Sequence, residues 1–265
     1  MSFQLTRGNV PLLVSIPHMG TEIPKDLQGG YVPRALAVED ADWHLDRLYA
    51  FVRDLGASVL QPQYARYVID LNRPPDNAPM YPGASNTELC PTRFFDGEPL
   101  YAGAAPAQAQ QDERRATYWQ PYHDALAAEL ARLKQEHGYA LLWDAHSIRS
   151  EIPWLFEGVL PDLNIGTNAG ASAAPAITEA VAAAAAQDPR YTRAVNGRFK
   201  GGYITRHYGR PQEHVHAVQL EMTQKSYMRE APPYDYREER AREVQPVLRS
   251  MVEAALQATR ALYGR

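Results

Sequence analysis

Two histidines far apart in the chain, His18 and His146, each sit just beyond a short apolar run: VPLLVSI (Val10–Ile16) and YALLW (Tyr139–Trp143). Two imidazoles and one carboxylate make up the usual protein shell of a hydrolytic zinc, with one position left open for water. The carboxylate could come from Glu22, Asp40, Asp42 or Asp144, and Asp144 could instead be an acidic partner that orients His146. For a lone histidine the alternative is a hydrogen-bonded loop residue. Glu221 closes a third apolar run, VQLEM. A glutamate in such a setting is either an ion-paired residue or a general base whose pKa is raised by burial. Asn72-Arg73 follows YVIDL, and an arginine fork matches a carboxylate bidentately. The same pair could serve as a surface ion pair with Asp70 or Asp76. Arg149, three residues after His146, has the same two readings.

Other polar residues point to less. Cys90 carries no nucleophile signature, and a buried inert thiol is the commoner fate. Gly201-Gly202 matches neither the dinucleotide fingerprint nor the Walker motif and suits a tight turn or a close backbone approach. His207, His214 and His216 lack a nearby acidic partner and read as structural, as do His123 and His137 on expected helices. His44 stays open because it lies two residues from Asp42.

The elements that must position these groups alternate. Strands are expected at Val10–Ile16, Ala57–Leu60, Tyr67–Leu71, Tyr139–Trp143 and Val215–Leu220. Helices are expected at Ala41–Leu55 (capped by Asp40), Asp112–His137 (kinked or broken at Pro121), about Ser172–Gln187 and Arg237–Leu262 (kinked near Pro246). Residues 74–108 have no sustained period, which suits a lid or binding loop; 148–170 is a second irregular stretch. Strand–helix alternation implies an α/β fold: a mixed, mainly parallel twisted sheet with helices on both faces, and one domain over residues 1–265. In such sheets ligands bind beyond the carboxyl ends of the strands, where His18, His146 and Glu221 would meet.

Composition restricts the class of partner. Apolar residues make up 45% and charged residues 22%, with net charge -4 and pI about 6.1, so a nucleic acid or an anionic membrane is a poor partner. With a single cysteine no internal disulfide can form, which suits a reducing compartment. The longest apolar run, Ala180–Ala186, falls far short of the ~20 residues of a membrane helix, and the N-terminus has no signal-peptide pattern. A cytoplasmic protein is expected, with no oligomeric state specified.

Taken together, SIPHMGTEIP, DADWHLDRLY, YVIDLNRPP, LLWDAHSIRSEIP and GGYITRHYG…VQLEM resemble the N-formylglutamate amidohydrolase (deformylase) family of histidine degradation, over about residues 10–228. The family is similar in fold to the zinc carboxypeptidases and to the aspartoacylase and succinylglutamate desuccinylase group. The resemblance implies one Zn2+ per chain, held by His18, His146 and a third ligand. The carboxypeptidase glutamate three residues after the first histidine is here Thr21, with Glu22 one position off; DADWH looks like the substitute, with Asp42 preferred to Asp40. Glu221 looks like the general base and Asn72-Arg73 like the clamp for a substrate carboxylate, with Arg149 a further donor for the oxyanion. The implied substrate is a small N-acyl amino acid, N-formyl-L-glutamate first, yielding formate and L-glutamate. The alternatives are a sibling deacylase or carboxypeptidase-like enzyme, and a non-catalytic carboxylate-binding module.

Overall fold

In the computed structural model, which describes residues 2–80 and 87–264, seven strands form one sheet. Part of the long loop over 74–108 therefore lies outside the described residues. The strands are β1 (Phe3–Thr6), β2 (Leu12–Ser15), β3 (Ser58–Pro62), β4 (Ala140–Ile148), β5 (Leu163–Gly166), β6 (Arg193–Val195) and β7 (Val215–Thr223), in spatial order β1-β3-β2-β4-β7-β5-β6. The central four, β3-β2-β4-β7, are parallel. β1 runs antiparallel to β3 and β5 antiparallel to β7, while β6 is parallel to β5. β2 and β4 are buried along their whole length, as strands covered on both faces must be.

The helices are α1 (Lys25–Gln28), α2 (Leu45–Leu48), α3 (Phe51–Asp54), α4 (Gln108–Arg114), α5 (Gln120–His137), α6 (Pro175–Ala185), α7 (Tyr203–Tyr208) and α8 (Glu238–Leu262). Alternation along the strands divides the core. Leu12, Val14, Leu141, Trp143, Val218 and Leu220 face α2, α3, α6 and α8. Leu13, Ala140, Leu142 and Ala217 face α5 and Ile204 of α7. Each fully buried leucine is worth roughly 1.5–3 kcal/mol against exposure, so this alternation also decides where the polar residues of the same strands point. Asp144 and His146 on β4, and Gln219 and Glu221 on β7, share the parity of the α5–α7 side.

Several elements differ from expectation for identifiable reasons. The helix expected over Ala41–Leu55 starts at Leu45, is interrupted at Tyr49-Ala50, and is preceded by His44 in the left-handed region (φ 61°). Asp40 cannot cap it, because its carboxylate is taken by the Tyr67 hydroxyl, the Phe95 N–H and Arg149. Tyr67–Leu71 forms turns rather than a strand: Val68 N–H donates to the Ala65 carbonyl and Asp70 N–H to that of Leu89. The long central helix is two α-helices joined by a π-helical turn, Arg115–Trp119, which ends just before Pro121 enters the first turn of α5; Gly138 (φ 83°) closes it. α8 runs through Pro246 as one helix. The short strands β1, β5 and β6 and the single-turn-and-a-half α7 carry too few residues to show a period.

His123 is sandwiched between the Trp119 and Tyr208 rings and bonded to the Tyr208 hydroxyl (2.9 Å) and the Leu71 carbonyl (2.8 Å). Burial pushes its imidazole down to about 3. The unfolded chain takes up this proton near pH 6.5 and the folded one does not, so the stability it confers is complete above that pH and falls on acidification. Between pH 7 and pH 5 this one group should remove about 2 kcal/mol. Urea midpoints at the two pH values should therefore separate, and the separation should shrink in His123→Gln; an equal fall in both proteins would exonerate His123.

Candidate metal centre and cavity

The chain leaves β2 through Ile16-Pro17 and delivers His18, whose carbonyl accepts the Asp42 N–H (2.9 Å). That bond fixes the irregular 40–44 segment beside the end of β2. The β4–β7 register sets His146 beside Glu221 and Asp144 beside Gln219. The imidazoles of His18 and His146 lie 4.9 Å apart, centroid to centroid. One ligand atom each from His18, Asp42 and His146 falls within 4.8 Å of the others, and all three residues are buried.

The converging atoms are the two Nδ1 nitrogens and Asp42 Oδ2, which stands 3.8 Å from His18 Nδ1 and 3.2 Å from His146 Nδ1. Each Nε2 faces a second carboxylate: Asp70 Oδ1 at 2.7 Å from His18, Asp144 Oδ1 at 3.1 Å from His146. A carboxylate accepts only, so the His18 ring donates its Nε2 proton to Asp70 and turns an Nδ1 lone pair inward. Arg66 Nη1, which can only donate, lies 3.3 Å from His18 Nδ1 and selects the same tautomer. The Asn72 amide, whose Oδ1 accepts the Ile204 N–H, donates from its NH2 to His146 Nε2 (3.0 Å), and His146 Nδ1–H faces Asp42 Oδ2. A histidine backed by a carboxylate, as His18 is by Asp70, is a usual outer arrangement of a metal site.

Charge points the same way. Asp42, Asp70, Asp144 and Glu221 are all buried, and the one buried guanidinium among them is Arg66, paired with Asp70 at 2.6 Å. Burial works against the Asp70 carboxylate, but His18 and Arg66 outweigh it and hold the carboxyl well below its usual range. Burial, then Arg66, lowers His18; around His146, Asp144 and Asp42 overcome burial and hold the ring well above the usual imidazole range. Uncompensated buried carboxylates are costly, and a divalent cation at the triad offsets them. The donor set therefore fits a metal ion.

The other sequence candidates have different commitments. Asp40 serves Tyr67, Phe95 and Arg149. Glu22 is exposed and bonds Gln63, and His44 Nε2 meets the Tyr234 carbonyl. Arg149 is ion-paired to Asp40 at 3.0 Å and is not among the residues lining the cavity. Asn72 lines it, but its Oδ1 accepts the Ile204 N–H and its main chain accepts from Tyr203; a Cβ on Gly202 would fall 2.3 Å from the Asn72 amide. The expected close backbone approach at Gly201-Gly202 is thus made onto Asn72, which braces α7 against the triad. His214 and His216 bond the Gly138 carbonyl and the Tyr263 hydroxyl. Cys90 is buried, and burial pushes its thiol up to about 11.

Above the triad opens a cavity of about 640 Å³ of empty space, much of it open to solvent. His18, His146, Gln219 and Glu221 line it together with Arg66, Arg73 and Arg198. Burial, aided by Asp42 and Asp144 against His146, pushes the Glu221 carboxyl up to about 8, and its Oε1 has no partner among the described residues. A carboxylate so placed can exchange a proton with a bound molecule.

Sequence reasoning missed Asp70, Arg66 and Arg198. Asp70 gave the signal Glu221 gave, an acid inside an apolar run, but the expected strand hid its turn. Nothing local marks Arg66, and Arg198 sits in an irregular stretch. Asp70→Asn leaves the triad intact but removes the charge that fixes the His18 tautomer, so affinity for zinc should fall roughly 10–100-fold in a competitive chelator titration. Unchanged affinity would leave Asp70 a purely structural partner of Arg66.

Fold and site together define an α/β protein with a two-histidine, one-carboxylate centre at the carboxyl ends of parallel strands, beneath a cavity rich in arginine. The family model of N-formylglutamate amidohydrolase matches residues 10–228, and the chain belongs to that family. It is 52% identical to an N-formylglutamate deformylase of Pseudomonas aeruginosa over 97% of each chain, and 50% identical to one of Pseudomonas putida over 94% of each. Among solved structures it is similar to the N-formylglutamate amidohydrolase of Ralstonia eutropha (TM-score 0.81, 25% identity, 98% and 97% of the two chains). The same fold occurs in an Agrobacterium tumefaciens gene product (TM-score 0.74, 16% identity, 96% and 94% of the two chains). No helix among the described residues is long and apolar enough to cross a membrane.

Proposed function

We propose that this protein hydrolyses the formyl amide of N-formyl-L-glutamate, giving formate and L-glutamate, with a zinc ion held by His18, Asp42 and His146. The observation that carries the reading is the convergence of His18, His146 and Asp42 beside the Glu221 oxygen that has no partner among the described residues. The names of the Pseudomonas relatives support the choice of substrate.

Bound at the triad, zinc supplies the Lewis acidity that polarises a formyl carbonyl and acidifies a neighbouring water. Glu221 takes a proton from the attacking water and passes it to the departing amine nitrogen, which leaves as the free amine of glutamate. Arg66, held by Asp70 at the cavity wall, opposes the negative charge that develops on the carbonyl oxygen. It takes the place expected for Arg149, which acts from behind by holding Asp40. Arg73, with its guanidinium anchored on Thr87, receives a substrate carboxylate, so an enzyme of net charge -4 can bind a dianion.

The test is metal analysis of the purified protein alongside formate release from N-formyl-L-glutamate, before and after chelation. One zinc per chain, with activity lost on chelation and restored by zinc, is expected. Metal-free protein with full activity would overturn the zinc assignment, and preference for N-acetyl or N-succinyl glutamate would overturn the substrate.

A further inference from the structure

Three guanidiniums line the cavity, and they differ in what holds them. Arg66 is buried, paired with Asp70 and against His18, which places it at the reacting end. Arg73 is half-buried: its guanidinium donates to the Thr87 carbonyl and hydroxyl, and its own carbonyl accepts the Trp119 indole N–H. Its neighbour Asn72 touches His146, so Arg73 is one residue removed from the triad. Arg198 belongs to a separate packed group. Its guanidinium lies 5.3 Å from the Phe199 centroid and donates to the Leu155 carbonyl. Leu155 and Phe199 pack on the small cluster of Phe95, Ile148, Ile152 and Leu160, which has no part in the triad. Phe95, Ile148, Leu155 and Phe199 all line the cavity, so Arg198 is packed against an apolar wall of it.

The substrate proposed above has a matching layout. One carboxylate sits on the carbon that bears the amide nitrogen, and the other lies two methylenes further out. The geometry points to Arg198 as the specificity-determining residue that receives this outer carboxylate, with Arg73 taking the inner one and the apolar wall the two methylenes. This assignment rests on the functional reading above. The Leu155 carbonyl holds the guanidinium at the cavity, and the planar fork of an arginine matches a carboxylate. The site would then select dicarboxylic N-formyl amino acids over their neutral isosteres.

The experiment compares N-formyl-L-glutamate with N-formyl-L-glutamine, identical in shape but neutral at the outer end, in wild type, Arg198→Gln and Arg198→Lys. Wild type should prefer the glutamate compound. In Arg198→Gln the ratio of the two kcat/KM values should fall roughly 10–100-fold, through loss on the charged substrate, and Arg198→Lys should restore part of it. Calorimetry should show the Kd of L-glutamate weakening in Arg198→Gln while that of L-glutamine holds, a readout independent of turnover. A preference ratio within about twofold of wild type in Arg198→Gln would overturn the assignment while leaving the reaction in place. Wild type that releases formate from neither compound would remove the functional reading, and this assignment with it.

Discussion

Glu221→Gln should lower formate release by roughly 10²–10⁴-fold while the protein still holds one zinc per chain. Glutamine keeps the size of the side chain and its place beside His146 in the sheet, but it cannot accept the proton of an attacking water. Glu221 is not one of the three converging ligand residues, so metal content should not follow activity down. A fall in kcat with little change in KM is the signature of a group that acts in the transition state. Burial pushes the Glu221 carboxyl up to about 8, so acidification removes the working carboxylate. Turnover should therefore decline on the acid side, at or below that pH, since a bound dication favours the carboxylate; the limb should be missing from the residual activity of the glutamine variant. Zinc-loaded Glu221→Gln with wild-type turnover would take this residue out of the chemistry.

His146→Ala should have an effect at least as large, by another route. It removes one of three donors and leaves Asp144 buried without its imidazole, which by itself costs roughly 3–5 kcal/mol for a broken buried pair. Zinc per chain should drop to a small fraction of one and activity should fall with it, whereas Glu221→Gln separates the two. Asp42→Asn removes a ligand charge with almost no change in volume, so it should lose metal without a comparable loss of fold. Metal content by mass spectrometry and thermal unfolding by circular dichroism measure the two effects separately. If both variants retained full zinc, the ion would lie elsewhere and the triad would be a structural cluster.

The two outcomes also bear on Asp40 and Asp42, two residues apart in DADWH and alike in charge. Asp40 is a structural hub: the Tyr67 hydroxyl, the Phe95 N–H and Arg149 satisfy its oxygens, and Arg149 is thereby kept behind the cavity wall. Asp42 faces the other way, with Oδ2 toward both imidazoles and the Ser147 N–H. His44, in the left-handed region, turns the chain from this segment into α2 and bonds the Tyr234 carbonyl. A regular helix from Ala41 would have carried Asp42 out of reach, so the broken helix and the place of Asp42 beside the imidazoles are one feature seen at two levels.

Much of the architecture was legible because it follows from burial. Apolar runs ending in His18, His146 and Glu221 mark strands covered on both faces, and parallel strands connected by helices must end on the same edge. That reasoning brings the three residues together without any coordinates. It also identifies Cys90 as inert and the Gly201-Gly202 pair as a site of close approach.

What tertiary structure alone decided is how each polar group is spent. Asp70 was hidden in an apparent strand because the hydrophobic pattern of YVIDL fits a strand and a buried turn equally well; only the Leu89 carbonyl and the His18–Arg66 pair select the turn. Asn72, which lines the cavity, and Arg149, which does not, are held by partners 132 and 109 residues away in the chain. Hydrophobic periodicity is a local property and survives in one dimension. Hydrogen-bond and ion-pair partners are settled by contacts between distant segments, and on those contacts the place of Asp42 beside the two imidazoles and the arginines of the cavity depend.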